Sequence, residues 1–137
     1  MTFSGIDVVV GRLEAPELIR DAVAEAWSLP AAQVAVINDL ADYPDDEEIV
    51  LVVVASALEG SFGGMLSLQK SAAPAIDSQN LAPVQSLAKR LNLACLVPIE
   101  EDNPYLMQLV QPEGTVTRVA LDTAAFDGER YEITSAL

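Results

Sequence analysis

The sequence predicts an α+β fold, a two-layer sandwich in which a mostly antiparallel mixed sheet carries two amphipathic helices on one face. Short runs of apolar and β-branched residues, bounded by glycine, proline and acidic residues, recur along the chain and indicate strands. Two other segments repeat apolar residues every three or four positions, as amphipathic helices do. The length of 137 residues favours one domain over residues 1–137.

The first third of the chain predicts a strand, a helix and a second strand. Residues 6–10 form a mostly apolar, β-branched run that ends at a glycine, which indicates a buried strand. Pro16 suits the first turn of a helix, and the apolar stripe that follows it runs from Leu18 to Trp27. Residues 33–37 are the next apolar run, so the order predicts a crossover between two parallel strands.

An acidic loop over residues 38–48 separates this unit from a predicted hairpin. Its like charges and Pro44 oppose regular structure, so the loop should be exposed. Residues 49–57 are apolar on both faces, which indicates a strand inside the sheet. The glycine-rich residues 60–64 then predict a turn, after which residues 65–69 return as an antiparallel partner.

The last part of the chain predicts a second helix and further strands. Asn80 is a candidate N-cap, Pro83 lies in the first turn, and Asn92 can end the helix. Proline and glycine in residues 111–114 occupy the positions that a type I turn prefers, which predicts a hairpin. Strands are expected at residues 94–97, 105–110, 115–121 and 131–134. The hairpin side chains that point away from the helices must meet solvent, form a second core or contact a partner.

Composition excludes several classes of function. With 21 acidic against 7 basic residues the net charge is −14, so nucleic-acid phosphates and anionic membrane surfaces would be repelled. The chain has no histidine and one cysteine, which removes histidine-based catalysis, zinc sites and internal disulfides. That cysteine, Cys95, lies in an apolar context and is interpreted as a small buried hydrophobe. We expect no metal and no other cofactor.

The sequence carries no visible targeting signal. Its N-terminus lacks a basic segment followed by an apolar stretch and a cleavage site, so we expect a cytoplasmic protein. The longest apolar run, residues 49–58, is about half the length that a membrane-spanning helix needs. Neither observation supports membrane association.

Only weak catalytic motifs are present. Ser67 and Lys70 have the S-x-x-K spacing of one group of serine hydrolases, but the companion motifs S-D-N and K-T-G are missing. Residues 60–64 precede a strand-like run rather than the helix N-terminus that a phosphate loop needs. We therefore expect a protein that is not an enzyme.

Two acidic segments are the strongest candidates for a functional surface. Each lies between predicted strands, and if both lie on the same edge of the sheet they create one concentrated negative field that steers basic partners. A tyrosine accompanies each segment and can anchor an interface, because it combines an apolar body with a polar tip. The predicted partner-binding residues are Asp39, Asp42, Tyr43, Asp45, Asp46, Glu47 and Glu48 in the first segment, and Glu100, Glu101, Asp102 and Tyr105 in the second.

The short acidic chain, its predicted sandwich and these two segments resemble the small acidic immunity proteins that bacteria make against their own toxins. The resemblance concerns the class as a whole and no specific motif. It implies a protein that neutralises a cognate toxin or effector, often a nuclease, by covering its basic active-site surface. Three alternatives remain open: a solvated loop that only maintains solubility, an acidic secretion chaperone that dimerises, and a small-molecule-binding regulatory domain with residues 60–64 as its binding loop.

Overall fold

The structure, a computed structural model, describes residues 4–71, 74–77, 79–99 and 103–136. Within these residues the chain forms eight strands and three α-helices. The strands are β1 Ser4–Val10, β2 Val34–Ile37, β3 Leu51–Ala57, β4 Gly64–Lys70, β5 Cys95–Pro98, β6 Leu106–Val110, β7 Val116–Leu121 and β8 Ile133–Ala136. The helices are α1 Pro16–Ala26, α2 Ala82–Leu91 and α3 Thr123–Asp127.

The eight described strands join in one mixed sheet with the order β2-β3-β4-β1-β5-β6-β7-β8. β2 and β3 pair in parallel, whereas the other neighbouring strands in the described sheet are antiparallel. With helices packed on this sheet, the predicted α+β fold is confirmed. β1 and β2 run in the same direction, as predicted, but β4 and β3 lie between them, so the connection through α1 joins strands that are not neighbours.

α1 and α2 pack side by side on one face of the sheet and enclose the larger hydrophobic core. The alternation of a strand places Ile6, Val8 and Val10 of β1 in this core. Directly paired residues of neighbouring strands point to the same face, so Leu66 and Leu68 of β4 join them. The buried helix residues recur every three or four positions, namely Ile19, Ala22 and Val23 in α1, and Val84, Leu87, Ala88 and Leu91 in α2.

Both long helices begin and end close to the predicted residues. Pro16 opens α1, where its missing N–H leaves no broken bond. The N-cap of α2 is Leu81 rather than the predicted Asn80, whose side chain still accepts a hydrogen bond of 3.2 Å from the Ala82 N–H. Asn92 ends α2 with a left-handed φ of 53°, as predicted. Leu18, predicted on the buried stripe, is instead 53% exposed, because the stripe is centred on the residues that follow it. No helix among the described residues is long and apolar enough to cross a membrane.

The opposite face of the sheet carries a second, smaller core. Side chains of four central strands and of the β3–β4 turn are buried there, namely Val9, Phe62, Leu96, Met107, Val119 and Leu121. The chain after β7 folds back over them and packs Phe126 and Tyr131 against this core. Of the three outcomes open to the hairpin side chains on this face, a second core is the one that forms.

The C-terminal segment differs from the sequence prediction in two ways. The prediction has no helix after β7, yet Asp122 caps α3 by accepting hydrogen bonds from two N–H groups of its first turn, at 2.9 and 3.1 Å. The last strand, predicted over residues 131–134, begins at Ile133. Tyr131 lies before this strand and packs edge-to-face on Phe126, with ring centroids 5.6 Å apart.

Both predicted hairpins form. β3 and β4 are joined by a turn in which the Leu58 N–H donates to the Gly63 carbonyl at 2.9 Å. In the β6–β7 turn the Gly114 N–H donates to the Gln111 carbonyl at 2.9 Å. Gly114 has a φ of 99°, a conformation that glycine adopts without steric cost.

Cys95 lies at the start of β5 and faces the larger core. Its exposure is 0%, and it is a free cysteine. Burial raises the pKa of its thiol from 9.0 to about 12. The prediction that Cys95 acts as a small buried hydrophobe is confirmed.

We expect the Cys95 thiol to resist modification while the protein is folded. A pKa raised from 9.0 to about 12 lowers the thiolate fraction roughly 1,000-fold at mildly alkaline pH, and burial also blocks access. Labelling with a chromogenic disulfide reagent, followed in native buffer and in denaturant, checks this. The thiol should react promptly only in denaturant, and prompt labelling of the folded protein would contradict its buried position.

Candidate protein-binding face

Part of the sheet face opposite α1 and α2 remains open. The strand pairing places Asp7 beside Ser67 and Gly5 beside Gln69, and Ser67 also neighbours Val54. Gly5, Asp7 and Gln69 are exposed, whereas Val54 and Ser67 are half-buried. We call these five residues the open strip. The acidic loop borders the strip at β3, and the second core borders it beyond β1.

The acidic loop, residues 38–48, is shaped by its own carboxylates. Asp39 Oδ1 accepts a hydrogen bond from the Ala41 N–H at 3.0 Å, and Asp46 Oδ1 accepts one from the Glu48 N–H at 2.9 Å. The Asp39 bond caps one turn of 3-10 helix, Leu40–Asp42, so this part of the loop is regular where the sequence predicted none, and the Asp46 bond closes a short turn before β3. The predicted exposure of the loop is confirmed, because all seven predicted partner-binding residues of this segment are exposed.

The second half of the loop faces the sheet across a cleft. Residues 43–47 line a cleft of ≈ 490 Å³ together with Val52 and Gln69, both on the face opposite the helices. Val52 is only 3% exposed, and it lies in the wall of this cleft opposite the loop. Tyr43 stays 40% exposed, so its ring and hydroxyl are available for contact.

The loop carboxylates have no cationic partner among the described residues. The ion pairs between described residues are Arg12–Glu14, Arg20–Asp21 and Arg90–Glu25. Arg20 and Arg90 belong to the helices and Arg12 follows β1, so none of these cations comes from the loop or its neighbouring strands. The loop therefore presents its six carboxylates to solvent.

Glu100, Glu101 and Asp102, the acidic residues of the second predicted segment, lie outside the described residues. The residue before them, Ile99, directly follows β5. Because β5 runs antiparallel to β1, it ends at the edge of the sheet where β1 and β3 begin. The acidic loop ends at the same edge, because it leads into β3. The topology thus brings described flanks of both predicted segments to one edge of the sheet.

Tyr105, the second predicted tyrosine anchor, is half-buried in the second core. Its ring packs edge-to-face on Phe126 with ring centroids 5.4 Å apart. Its hydroxyl donates to Asp127 Oδ1 at 3.4 Å. Of the two predicted tyrosines, Tyr43 is therefore the one that is more open to solvent.

A small pocket of ≈ 190 Å³ lies between the open strip and the second core. Its walls include Met65, Ile99, Phe126 and Tyr131, and Asp7 contributes a carboxylate. Burial, followed by the negative charges of Asp7 and Glu129, raises the pKa of the Tyr131 phenol. We call this the Asp7 pocket.

Sequence reasoning did not identify the Asp7 pocket. Its walls come from β1, β4, the chain after β5 and the C-terminal segment, which are far apart in sequence. One signal was available, because Asp7 is the single charged residue in the apolar run over residues 6–10. A charge at that position is unusual in a strand that is otherwise buried.

The S-x-x-K motif is divided between the two faces of β4. Residues three apart on a strand point to opposite sides, so Ser67 lies on the open strip and Lys70 points towards the helix layer. The Lys70 amine therefore does not reach the Ser67 hydroxyl.

Glu132 holds the glycine-rich turn of residues 60–64. Its two carboxylate oxygens accept hydrogen bonds from the Ser61 N–H and the Ser61 hydroxyl, each at 2.6 Å. These bonds lower the pKa of Glu132. Gly60 has a φ of 97°, and a Cβ there would meet Glu132 Oε1 at 2.6 Å. Residues 60–64 are the binding loop of the regulatory-domain alternative. Both hydrogen-bond donors of Ser61 in this loop are already used by Glu132.

No group of three or more aspartate, glutamate or cysteine side chains among the described residues is placed to hold a metal ion.

In comparisons with protein-family models, curated proteins and solved structures, the chain has no match. The candidate face is therefore defined by its geometry and charge alone.

We expect Glu132 to add an acid-sensitive contribution to stability. Because its pKa is lowered by folding, this contribution is fully present above the unfolded-state pKa and is lost as pH falls through the folded-state value. Glu132→Gln should lower Tm near neutral pH, and the difference from the wild type should shrink in strong acid. Thermal unfolding by circular dichroism across a pH series measures both effects.

Ser61→Ala is the matched variant, since it removes the donor hydroxyl from the same contact. It should also lower Tm near neutral pH and combine non-additively with Glu132→Gln. A glutamine variant that follows the wild type at every pH would exclude this role for Glu132.

Proposed function

We propose that this protein is a non-enzymatic binding protein whose acidic loop and open strip cover a basic surface of another protein. One observation carries the proposal. The six loop carboxylates lie exposed beside an open sheet face and form no ion pair with a described residue. A basic partner would supply the missing positive charges.

The loop has the properties of an electrostatic recognition element. A cluster of like charges steers an oppositely charged partner and raises its association rate in a salt-dependent manner. The loop is also shaped before binding by its internal turns, which reduces the ordering cost. Tyr43 adds a partly exposed aromatic side chain of the type that anchors interfaces.

The specific form of the proposal is neutralisation of a bacterial toxin or effector, as the resemblance to small acidic immunity proteins implies. A negative face placed over a basic active-site cleft would exclude a negatively charged substrate such as nucleic acid. Binding alone accounts for this inhibition, so the protein itself needs no catalytic group.

Capture with three baits tests the proposal. The baits are the wild type, a loop variant with Asp45→Asn, Glu47→Gln and Glu48→Gln, and a control variant with Glu17→Gln, Glu59→Gln and Glu113→Gln. Both variants lose three negative charges, but the control positions line neither the acidic-loop cleft nor the Asp7 pocket. A basic protein retained from lysate by the wild type and the control, released by salt and absent from the loop-variant bait, would identify the partner.

With that partner purified, we expect the loop variant to associate about tenfold more slowly at low salt, with a flatter salt dependence, while dissociation changes less. Stopped-flow or surface-based kinetics over a salt series measures this. The control variant should follow the wild type. Equal association rates for the loop variant and the wild type would remove the electrostatic basis of the proposal.

A buried cation favours a second candidate function, the binding of a small anion. Lys70 is only 4% exposed, and its ammonium donates to the Pro74 carbonyl without pairing with a described carboxylate. It lines a cleft of ≈ 580 Å³ together with Trp27, Asn80 and Asp77, and the Asp77 carboxylate accepts a hydrogen bond from the Gln79 N–H at 3.0 Å. Because a buried charge without a countercharge is costly, an anionic ligand in this cleft would stabilise the folded state.

Citrate and inorganic phosphate at constant ionic strength are suitable probes for this second function. If the cleft binds them, Tm of the wild type should rise with probe concentration, as expected for a ligand that binds only the folded state. Lys70→Met should abolish the rise, and Lys89→Met, which changes an exposed lysine of α2, should retain it. Equal rises in all three proteins would assign the effect to general ion binding and reject the cleft as a site.

A further inference from the structure

The Asp7 pocket is of the right size for one side chain. Its volume of ≈ 190 Å³ is smaller than the roughly 300 Å³ at which pockets for drug-sized ligands begin. It opens beside the open strip, to which Asp7 itself belongs. A protein docked on the strip would therefore place side chains at the pocket entrance.

The chemistry of the pocket suits a long cationic side chain. Met65 and Ile99 offer apolar surface for an aliphatic stem, and the Phe126 and Tyr131 rings offer partners for a cation. Asp7 supplies the countercharge, and no ion pair links it to a described residue. The raised pKa of Tyr131 is consistent with a negative potential at this point, since the Asp7 charge contributes to it.

The aromatic walls are held in place before any partner binds. Tyr105, Phe126 and Tyr131 form two consecutive edge-to-face contacts, with ring centroids 5.4 and 5.6 Å apart. The cap of α3 fixes the helix that carries Phe126. A rigid, mostly apolar pocket with one carboxylate is the environment in which an interface arginine contributes most to affinity.

We infer that the Asp7 pocket receives an arginine side chain of the partner, whose guanidinium pairs with the Asp7 carboxylate against the Phe126 and Tyr131 rings. This inference rests on the proposed function, because it names the contact by which the basic partner is anchored. The acidic loop then steers the approach, and the pocket fixes the docked position.

The pocket can be tested without the partner. The probe is N-acetyl-arginine amide, and the control is the citrulline analogue, which has nearly the same shape but no charge. We expect the arginine probe to bind in the millimolar range, with amide shift changes in ¹H–¹⁵N spectra centred on Asp7, Met65 and Tyr131. The citrulline analogue should bind about tenfold more weakly or not at all.

Variants assign the binding to named groups. Asp7→Asn should weaken the arginine probe about tenfold, whereas Asp45→Asn in the acidic loop should leave the pocket shifts unchanged. Tyr131→Phe keeps the ring and should retain binding, and Tyr131→Leu should lose part of it. Equal shifts with arginine and citrulline, shifts confined to the acidic loop, or an unaltered Asp7→Asn variant would each overturn the inference.

The two proposals fail in distinguishable ways. If the loop variant loses the captured partner but the arginine probe does not bind at Asp7, the pocket inference is wrong and the proposed function stands. If the probe binds at Asp7 but neutralising the acidic loop leaves partner association unchanged, the electrostatic proposal is wrong and the pocket still binds guanidinium groups.

Discussion

Two helices cannot cover both faces of an eight-stranded sheet, and the rest of the molecule is arranged around this constraint. α1 and α2 bury one face completely enough to form the larger core. On the other face, apolar side chains of β5, β6 and β7 would lie open to water. Phe62 from the β3–β4 turn and Phe126 from α3 close over them and produce the second core. The open strip is what these additions leave uncovered.

Positive and negative charges are distributed unevenly over the molecule. The described ion pairs use arginines of the helices and of the segment between β1 and α1, so their positive charge lies away from the acidic loop. The loop carboxylates repel one another, a cost that exposure and salt screening keep tolerable. A cationic surface that contacts the loop would relieve this repulsion. The relief would add to the binding free energy, because the repulsion raises the free energy of the unbound protein.

The sequence was sufficient where structure depends on local periodicity. The stripe of α2, the apolar runs of β1 and β3 and the Gly114 turn all follow from residues close together in the chain. It was insufficient where structure depends on distant contacts. α3 is only five residues long and depends on one side-chain cap, so no periodic signal marks it. The second core and the Asp7 pocket unite segments from both ends of the chain, and no local pattern links them.

The acidic loop is also the crossover between two parallel strands. A parallel pair needs a connection that returns along the full length of the strands, a task usually performed by a helix. Between β2 and β3 it is performed by residues 38–50 without an α-helix, and both ends of the connection are tied into the sheet. Asp39 and Asp46 hold turns of the loop, so its other side chains are the ones that can be exchanged at low cost, whereas shortening the connection would strain the edge strand β2. If the loop binds a partner as proposed, its specificity should diverge by substitution at these positions rather than by deletion.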